Sequence, residues 1–203
     1  MARYRTSRIL PTILTIIVII IAIAGLVALA RVLFSGNSNG GSTTVNQADL
    51  NKQALLDTSD GRAVSMTVRG PLVAQEDFRS YQIIISPTNR DFNAYTGYLN
   101  TITSQQTLSN NTAAYTQLVN ALSKANMAAG LPFEGDKNNT EGICATGRVY
   151  EFRTLLGGDQ QGMWWTSTCS GSPGSLKGNA TQLSQLFLNQ IPEGSNIANS
   201  LKL

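Results

Sequence analysis

The hydrophobic pattern divides the chain into two unlike parts. From Ile9 to Ala30 no residue is charged, and Ile, Leu, Val and Ala dominate without leaving a polar face. At about 1.5 Å rise per residue such a run crosses a hydrocarbon core of roughly 30 Å. The sequence therefore predicts a transmembrane signal-anchor helix over residues 9–34, in contact with the lipid bilayer. Ser35 to Thr44 reads SGNSNGGSTT, the composition of a flexible tether, and residues 35–45 are read as a linker. Beyond it come short segments with periods of two and 3.6, the pattern of one domain over residues 46–203.

Within that domain Asn46 is placed to cap a helix from Gln47 to Leu56. Ala63 to Arg69 alternates, with Val64, Met66 and Val68 on one face and Ser65, Thr67 and Arg69 on the other, which predicts a half-buried strand. A second strand is expected from Arg79 to Ile85, and a meander over Asp91–Leu99 and Thr101–Leu108. Asn110 or Asn111 then caps a helix whose apolar residues Tyr115, Leu118, Val119 and Leu122 follow helical spacing. Arg148–Leu155 and Met163–Thr168 read as a hairpin across Gly157-Gly158-Asp159. A last amphipathic helix begins at the Asn179 cap and presents Leu183, Leu186 and Phe187, and Ile197 and Leu201 allow one further turn. The expected fold is α+β: an N-terminal transmembrane helix, then an antiparallel sheet of about six strands with two main helices on one face.

Charge changes the picture through its position. The chain has 15 Lys+Arg against 12 Asp+Glu, which by itself suggests a polyanionic partner. Four of the basic residues, Arg3, Arg5, Arg8 and Arg31, flank the apolar run, and three of them precede it. This bias predicts that residues 1–8 stay in the cytoplasm and that the domain lies outside, in a single-pass cell-membrane protein. What remains beyond Phe34 is 11 basic and 12 acidic residues, so no nucleic-acid partner is expected. Ala28-Leu29-Ala30 has the spacing of a signal-peptidase site, but the apolar run exceeds the usual signal core of about 7–15 residues.

The chain contains no histidine, which excludes Ser-His-Asp and Cys-His catalysis and His-ligated zinc. Neither a Ser-x-x-Lys motif nor a phosphate-binding or dinucleotide glycine fingerprint occurs. No cofactor or metal site is expected. The loop Glu134–Glu141 is rich in oxygen donors, but Glu141 stands where a calcium loop needs glycine, so the loop reads as solvated. Asn110, Asn138 and Asn179 are glycosylation sequons by pattern, and two of them coincide with expected caps. Cys144 and Cys169 sit almost symmetrically about the Gly157-Gly158 turn, within reach of each other at the open end of the hairpin. In an extracytoplasmic compartment they should form a disulfide. Trp164 and Trp165, adjacent on one strand, must point to opposite faces, so one of them is a candidate binding surface unless something covers it.

The stretch VRGPLVAQEDFRSYQIIISPTNRDFNAYTGYL, with NNTAAYTQLVNAL and the GICATGRVYEF…WWTSTC hairpin, resembles a group of uncharacterised signal-anchored surface proteins. These belong to small-genome bacteria that live attached to other bacteria. The resemblance implies a cell-surface location and brings no activity or site residue with it. The order strands–helix–hairpin–helix is also similar, in topology alone, to emfourin-type metalloprotease inhibitors, and no inhibitory motif carries over.

Together these readings predict a non-enzymatic binding or structural module that contacts a protein or a glycan polymer outside the cell. The alternative is an envelope-located inhibitor or accessory subunit of a protease or secretion complex. A hydrolase working with carboxylates alone would need a shaped pocket that no motif signals.

Overall fold

A computed structural model describes residues 46–203, and the expected cytoplasmic segment 1–8, anchor 9–34 and linker 35–45 lie outside the described residues. Among the described residues no helix is long and apolar enough to cross a membrane. The domain is α+β. Helix α1 spans Gln47–Leu56, followed by strands β1 (Arg62–Arg69), β2 (Arg79–Ile85), β3 (Asn89–Thr96) and β4 (Thr101–Ser109). Then come helix α2 (Thr112–Lys124), a 3-10 turn at Gly135–Asn138, strands β5 (Val149–Leu156) and β6 (Asp159–Ser167), and helices α3 (Ala180–Leu188) and α4 (Gly194–Ser200).

The six strands form one sheet in the order β4-β3-β2-β1-β5-β6, with every pairing antiparallel. The first four strands make the expected meander. The hairpin β5–β6 then returns past α2 and joins the free side of β1, which makes β1 central. Apolar residues of one face, among them Val64, Met66, Ile83, Phe92, Phe152 and Trp164, meet Leu118, Val119 and Leu122 of α2 and Leu183 and Phe187 of α3 in a single core. The helices thus cover that face, and two further helices, α1 and α4, join the two principal ones. Caps begin three of the four: Asn46 Oδ1 accepts from Ala48 N, Asn111 Oδ1 from Ala114 N and Asn179 Oδ1 from Gln182 N. Of the two candidate asparagines before α2, Asn111 is the cap. Asn110 instead donates its amide to the Ser86 carbonyl at 2.6 Å.

Two sequence expectations need correction. β1 is buried on both faces, because Ser65 and Thr67 on its polar side are covered as well as Val64 and Met66. β6 starts at Asp159, four residues before the expected Met163. The reason is the tight turn: Gly157 and Gly158 both adopt positive φ (61° and 91°), the geometry of a two-residue hairpin loop, so pairing begins at once with Leu156 opposite Asp159.

Cys144 and Cys169 form the expected disulfide, with Cα atoms 5.6 Å apart, just beyond the open end of the β5–β6 hairpin. It closes a loop of sequence separation 25. A Cys144→Ser/Cys169→Ser variant should lose about 3 kcal/mol of unfolding free energy by the chain-entropy argument. Urea unfolding of oxidised wild type against the variant measures the loss, and an unchanged midpoint would contradict it.

Alkaline pH should also unfold the domain. Burial raises the Tyr115 phenol well above its ordinary range, and it does the same for Tyr81, where nearby Tyr150 adds to the effect. In the unfolded chain these phenols ionise near about pH 10, while in the fold they stay protonated. The folded state therefore holds more protons above that pH, and stability is constant below about pH 10 and falls as pH rises past it. Tyrosinate absorbance should develop for these two residues only together with the loss of near-UV circular dichroism.

Candidate functional site

The face of the sheet opposite the helices carries polar side chains, and its register follows from the same alternation that built the core. Ser65, Thr67 and Arg69 of β1 lie beside Ser80 and Gln82 of β2 and beside Glu151 and Arg153 of β5. In an ordinary two-layer domain this face would be open to water. Here the segment between α2 and β5 folds back over its β5–β6 half. Phe133 sets its ring edge-on against Trp165, with centroids 5.9 Å apart, and the Thr140 hydroxyl donates to Glu151 Oε1. The other half, over β1, β2 and β3, is only partly exposed: Ser65, Thr67 and Ser80 are buried there, while Gln82, Ile84 and Tyr95 are half-buried.

Glu151 sits at the border of the two halves and is fully buried. A buried carboxylate is tolerated only where charge and hydrogen bonds replace its water. Arg153 Nη2 pairs with Oε2, Arg69 Nη2 lies 3.3 Å from Oε1, and Thr140 supplies a hydroxyl. The other two nitrogens of Arg153 also have protein partners, with Nε on Gln160 Oε1 at 2.8 Å and Nη1 on Thr67 Oγ1 at 3.2 Å. Arg69, at the end of β1, uses only Nη2. Among the described residues its Nε and Nη1 meet no partner, and its side chain is one-third exposed.

Three adjoining concavities share Arg69 as a common wall. One, of about 390 Å³, opens toward Leu72, Phe78 and Tyr98. A second, of about 410 Å³, lies over Thr67, Gln82 and Tyr95 on that partly exposed half of the sheet, with Ile84 and Leu155 also in its wall. The third, of about 420 Å³, runs under the covering segment past Asn138, Glu141 and Arg153. Asn100 lines the first two. The three meet at Arg69 in a trough whose walls carry hydroxyls, amides, the Arg69 guanidinium with unused donors and the ring of Tyr95, together with apolar side chains such as Phe78, Ile84, Ile143 and Leu155. Burial raises the Tyr95 phenol, partly offset by the Asn93 side chain, so at neutral pH it remains a hydrogen-bond donor.

The tryptophans occupy opposite faces as expected, but neither forms a binding surface. Trp164 is fully buried in the helix-side core and donates its indole N–H to the Gly130 carbonyl at 2.5 Å. Trp165, on the trough side, is 3 % exposed. Its cover is Phe133 and the chain near Gly174, where even a Cβ would lie 2.0 Å from the Trp165 carbonyl oxygen. The expected exposed ring is corrected for that reason, while the Glu134–Glu141 loop is mostly exposed as expected, with only Thr140 buried. Sequence reasoning missed Arg69, Thr140, Glu151 and Arg153 as a group. The available signal was a Glu-x-Arg pair at positions 151 and 153, on the polar face of a strand otherwise built for burial.

Among the described residues no three His, Cys, Asp or Glu side chains converge as a metal site would require. In the Glu134–Glu141 loop Asn139 Oδ1 accepts from Glu141 N, and the Thr140 hydroxyl turns instead to Glu151. No protein-family model and no curated protein matches the chain, so the reading of its function rests on the trough and on the pattern of the sequence.

Proposed function

We propose that this chain is a single-pass, membrane-tethered module whose extracytoplasmic domain binds an envelope glycan in the trough centred on Arg69. The observation that carries this reading is the trough itself. It is a set of three concavities meeting at Arg69, whose polar walls are side-chain hydroxyls, amides and a guanidinium paired with a buried carboxylate, interleaved with apolar side chains. Such groups match the alternating donors and acceptors of sugar hydroxyls, and the Tyr95 ring adds an apolar surface for a sugar face. Binding without catalysis is supported by the state of Glu151, whose oxygens are already taken by Thr140 and two arginines. The anchor over residues 9–34 and the tether over 35–45 would hold the trough off the bilayer, with the three arginines before the run keeping the N-terminus inside.

Titration of the full-length chain in detergent micelles with envelope-derived oligosaccharides tests the site. Chemical-shift or fluorescence changes should be confined to residues lining the trough, and Asn100→Trp, which fills its rim, should abolish them. A C-terminal phosphatase fusion that is active only outside the cytoplasm tests the topology; an inactive fusion with an intact chain would reverse it.

One feature favours the second reading, an accessory or inhibitory subunit. The loop after β1 and the turn between β3 and β4 expose Leu72, Val73, Tyr98 and Leu99, the last of them 86 % exposed. This apolar tip is fixed in shape. The Tyr98 hydroxyl donates to the Val73 carbonyl at 2.7 Å, the Tyr98 amide donates to Gln75 Oε1 at 3.0 Å, and the Tyr98 ring stacks on Phe78. A rigid apolar tip binds protein surfaces at low entropic cost. Stoichiometric copurification with one protease or secretion subunit, lost on Leu99→Asp, would support that reading over the glycan one.

A further inference from the structure

We infer that the glycan held in the trough is acidic, and that Arg69 receives a carboxylate carried on one of its sugars. The inference deepens the trough reading above and depends on it. Four observations support it. First, each of the three nitrogens of Arg153 already has a partner in the protein, which makes it the residue that positions Glu151. Second, Arg69 meets Glu151 through Nη2 alone, and Nη2 carries two N–H groups, one toward each two-pronged edge of the guanidinium (Nε/Nη2 and Nη1/Nη2). With Nε and Nη1 without a partner among the described residues, one of these edges is left for a carboxylate. Third, Arg69 is the one residue that walls all three concavities, so a chain lying along the trough passes over it. Fourth, two guanidinium groups face a single buried carboxylate, which leaves an excess positive charge at this point of the trough floor. Glu141 lines two of the concavities, but it is exposed, where water and salt screen it.

The remaining walls decide between an acidic glycan and an acidic peptide. A peptide that adds to a sheet pairs with its edge, where backbone N–H and C=O groups are free. The trough lies on the face of the sheet, where β1 is paired on both sides, with β2 from Val64 to Arg69 and with β5 along its whole length. What it presents is Thr67, Gln82, Asn100 and Tyr95, the hydroxyl and amide chemistry that pairs with a polyhydroxylated chain. The matching ligand is a uronic-acid-type oligosaccharide.

The test compares three probes on the full-length chain in detergent micelles by isothermal titration: tetragalacturonate, its fully methyl-esterified form and tetraglutamate. The expected result is that tetragalacturonate binds at least about tenfold more tightly than the ester, the usual scale of one charge-assisted contact. Arg69→Gln should erase that preference. Because this variant also strips Glu151 of a cation, Arg69→Lys is the companion: it keeps the charge and should retain only part of the preference, since an ammonium cannot form the fork. Equal binding of acid and ester by wild type overturns the role of Arg69 and leaves the glycan trough standing. Tetraglutamate binding as tightly as tetragalacturonate overturns the glycan class. Failure of both oligosaccharides to bind overturns the trough reading itself.

Discussion

Replacing Trp164 with alanine should lower the unfolding free energy by about 3–5 kcal/mol, the range for removing a large buried aromatic ring. Trp164 is the largest fully buried side chain, and it packs in the same cluster as Phe152, which faces it across the β5–β6 pair. Its indole N–H is the donor for the Gly130 carbonyl, where the chain turns after α2, so the substitution also leaves a buried acceptor unpaired. The neighbouring sequence is fitted to the ring. Gly162, two residues earlier on the same face, lies so close under it that a Cβ there would stand 2.7 Å from the indole Cη2. The cavity left by alanine is therefore walled by sheet and helix that cannot easily close on it. Trp164→Phe separates the two contributions. It keeps most of the packing and loses the hydrogen bond, and should cost clearly less than alanine. The chain has only two tryptophans, so Trp165 remains as the fluorescence reporter for urea unfolding of the variant. A loss below about 1 kcal/mol would mean that the site collapses freely and that the core is not organised around this ring.

How much of this could be read in advance depends on how local the determinants are. The first two strands announced themselves through alternation, the next two through composition and the hairpin through its glycine turn, and the three helix caps and the disulfide followed from residues close together in sequence or mirrored about that turn. The glycine pair at 157–158 even fixed the hairpin register to within a residue or two. The position of the hairpin in the sheet was not legible, because pairing of β5 with β1 joins segments about 80 residues apart and local pattern says nothing about which edge is filled. The trough was hidden for a related reason. Arg69, Thr140, Glu151 and Arg153 come from a strand end, a loop and another strand, and each alone looks like ordinary polar surface. Thr140 belongs to a stretch whose composition is that of a solvated loop, yet its hydroxyl is the buried donor that completes the coordination of Glu151. Phe133, just before that loop, covers Trp165, and nothing in the local pattern marks it for that contact.

Removing the Glu151 carboxylate should be about as costly as removing Trp164, for an electrostatic reason instead of a packing one. Glu151→Ala leaves the Arg153 guanidinium, itself mostly buried, facing an uncompensated gap, and deleting one partner of a buried ion pair typically costs about 3–5 kcal/mol. Glu151→Gln keeps the shape and an acceptor for Thr140 or an arginine, but not the charge, so its loss should fall between alanine and wild type. The decisive comparison is the double variant Glu151→Met/Arg153→Met. If the pair exists chiefly to hold Arg69 in position, replacing both charges with apolar side chains should restore much of the stability that Glu151→Ala loses, since buried ion pairs are often no better than well-packed apolar residues. It should not restore binding, because Arg69 would have lost the carboxylate that orients it. Stability regained with ligand affinity still absent would mark the charged cluster as a device for recognition. Affinity regained along with stability would show that Arg69 needs no such support, and the role of Glu151 would then be confined to tying the covering loop to the sheet through Thr140.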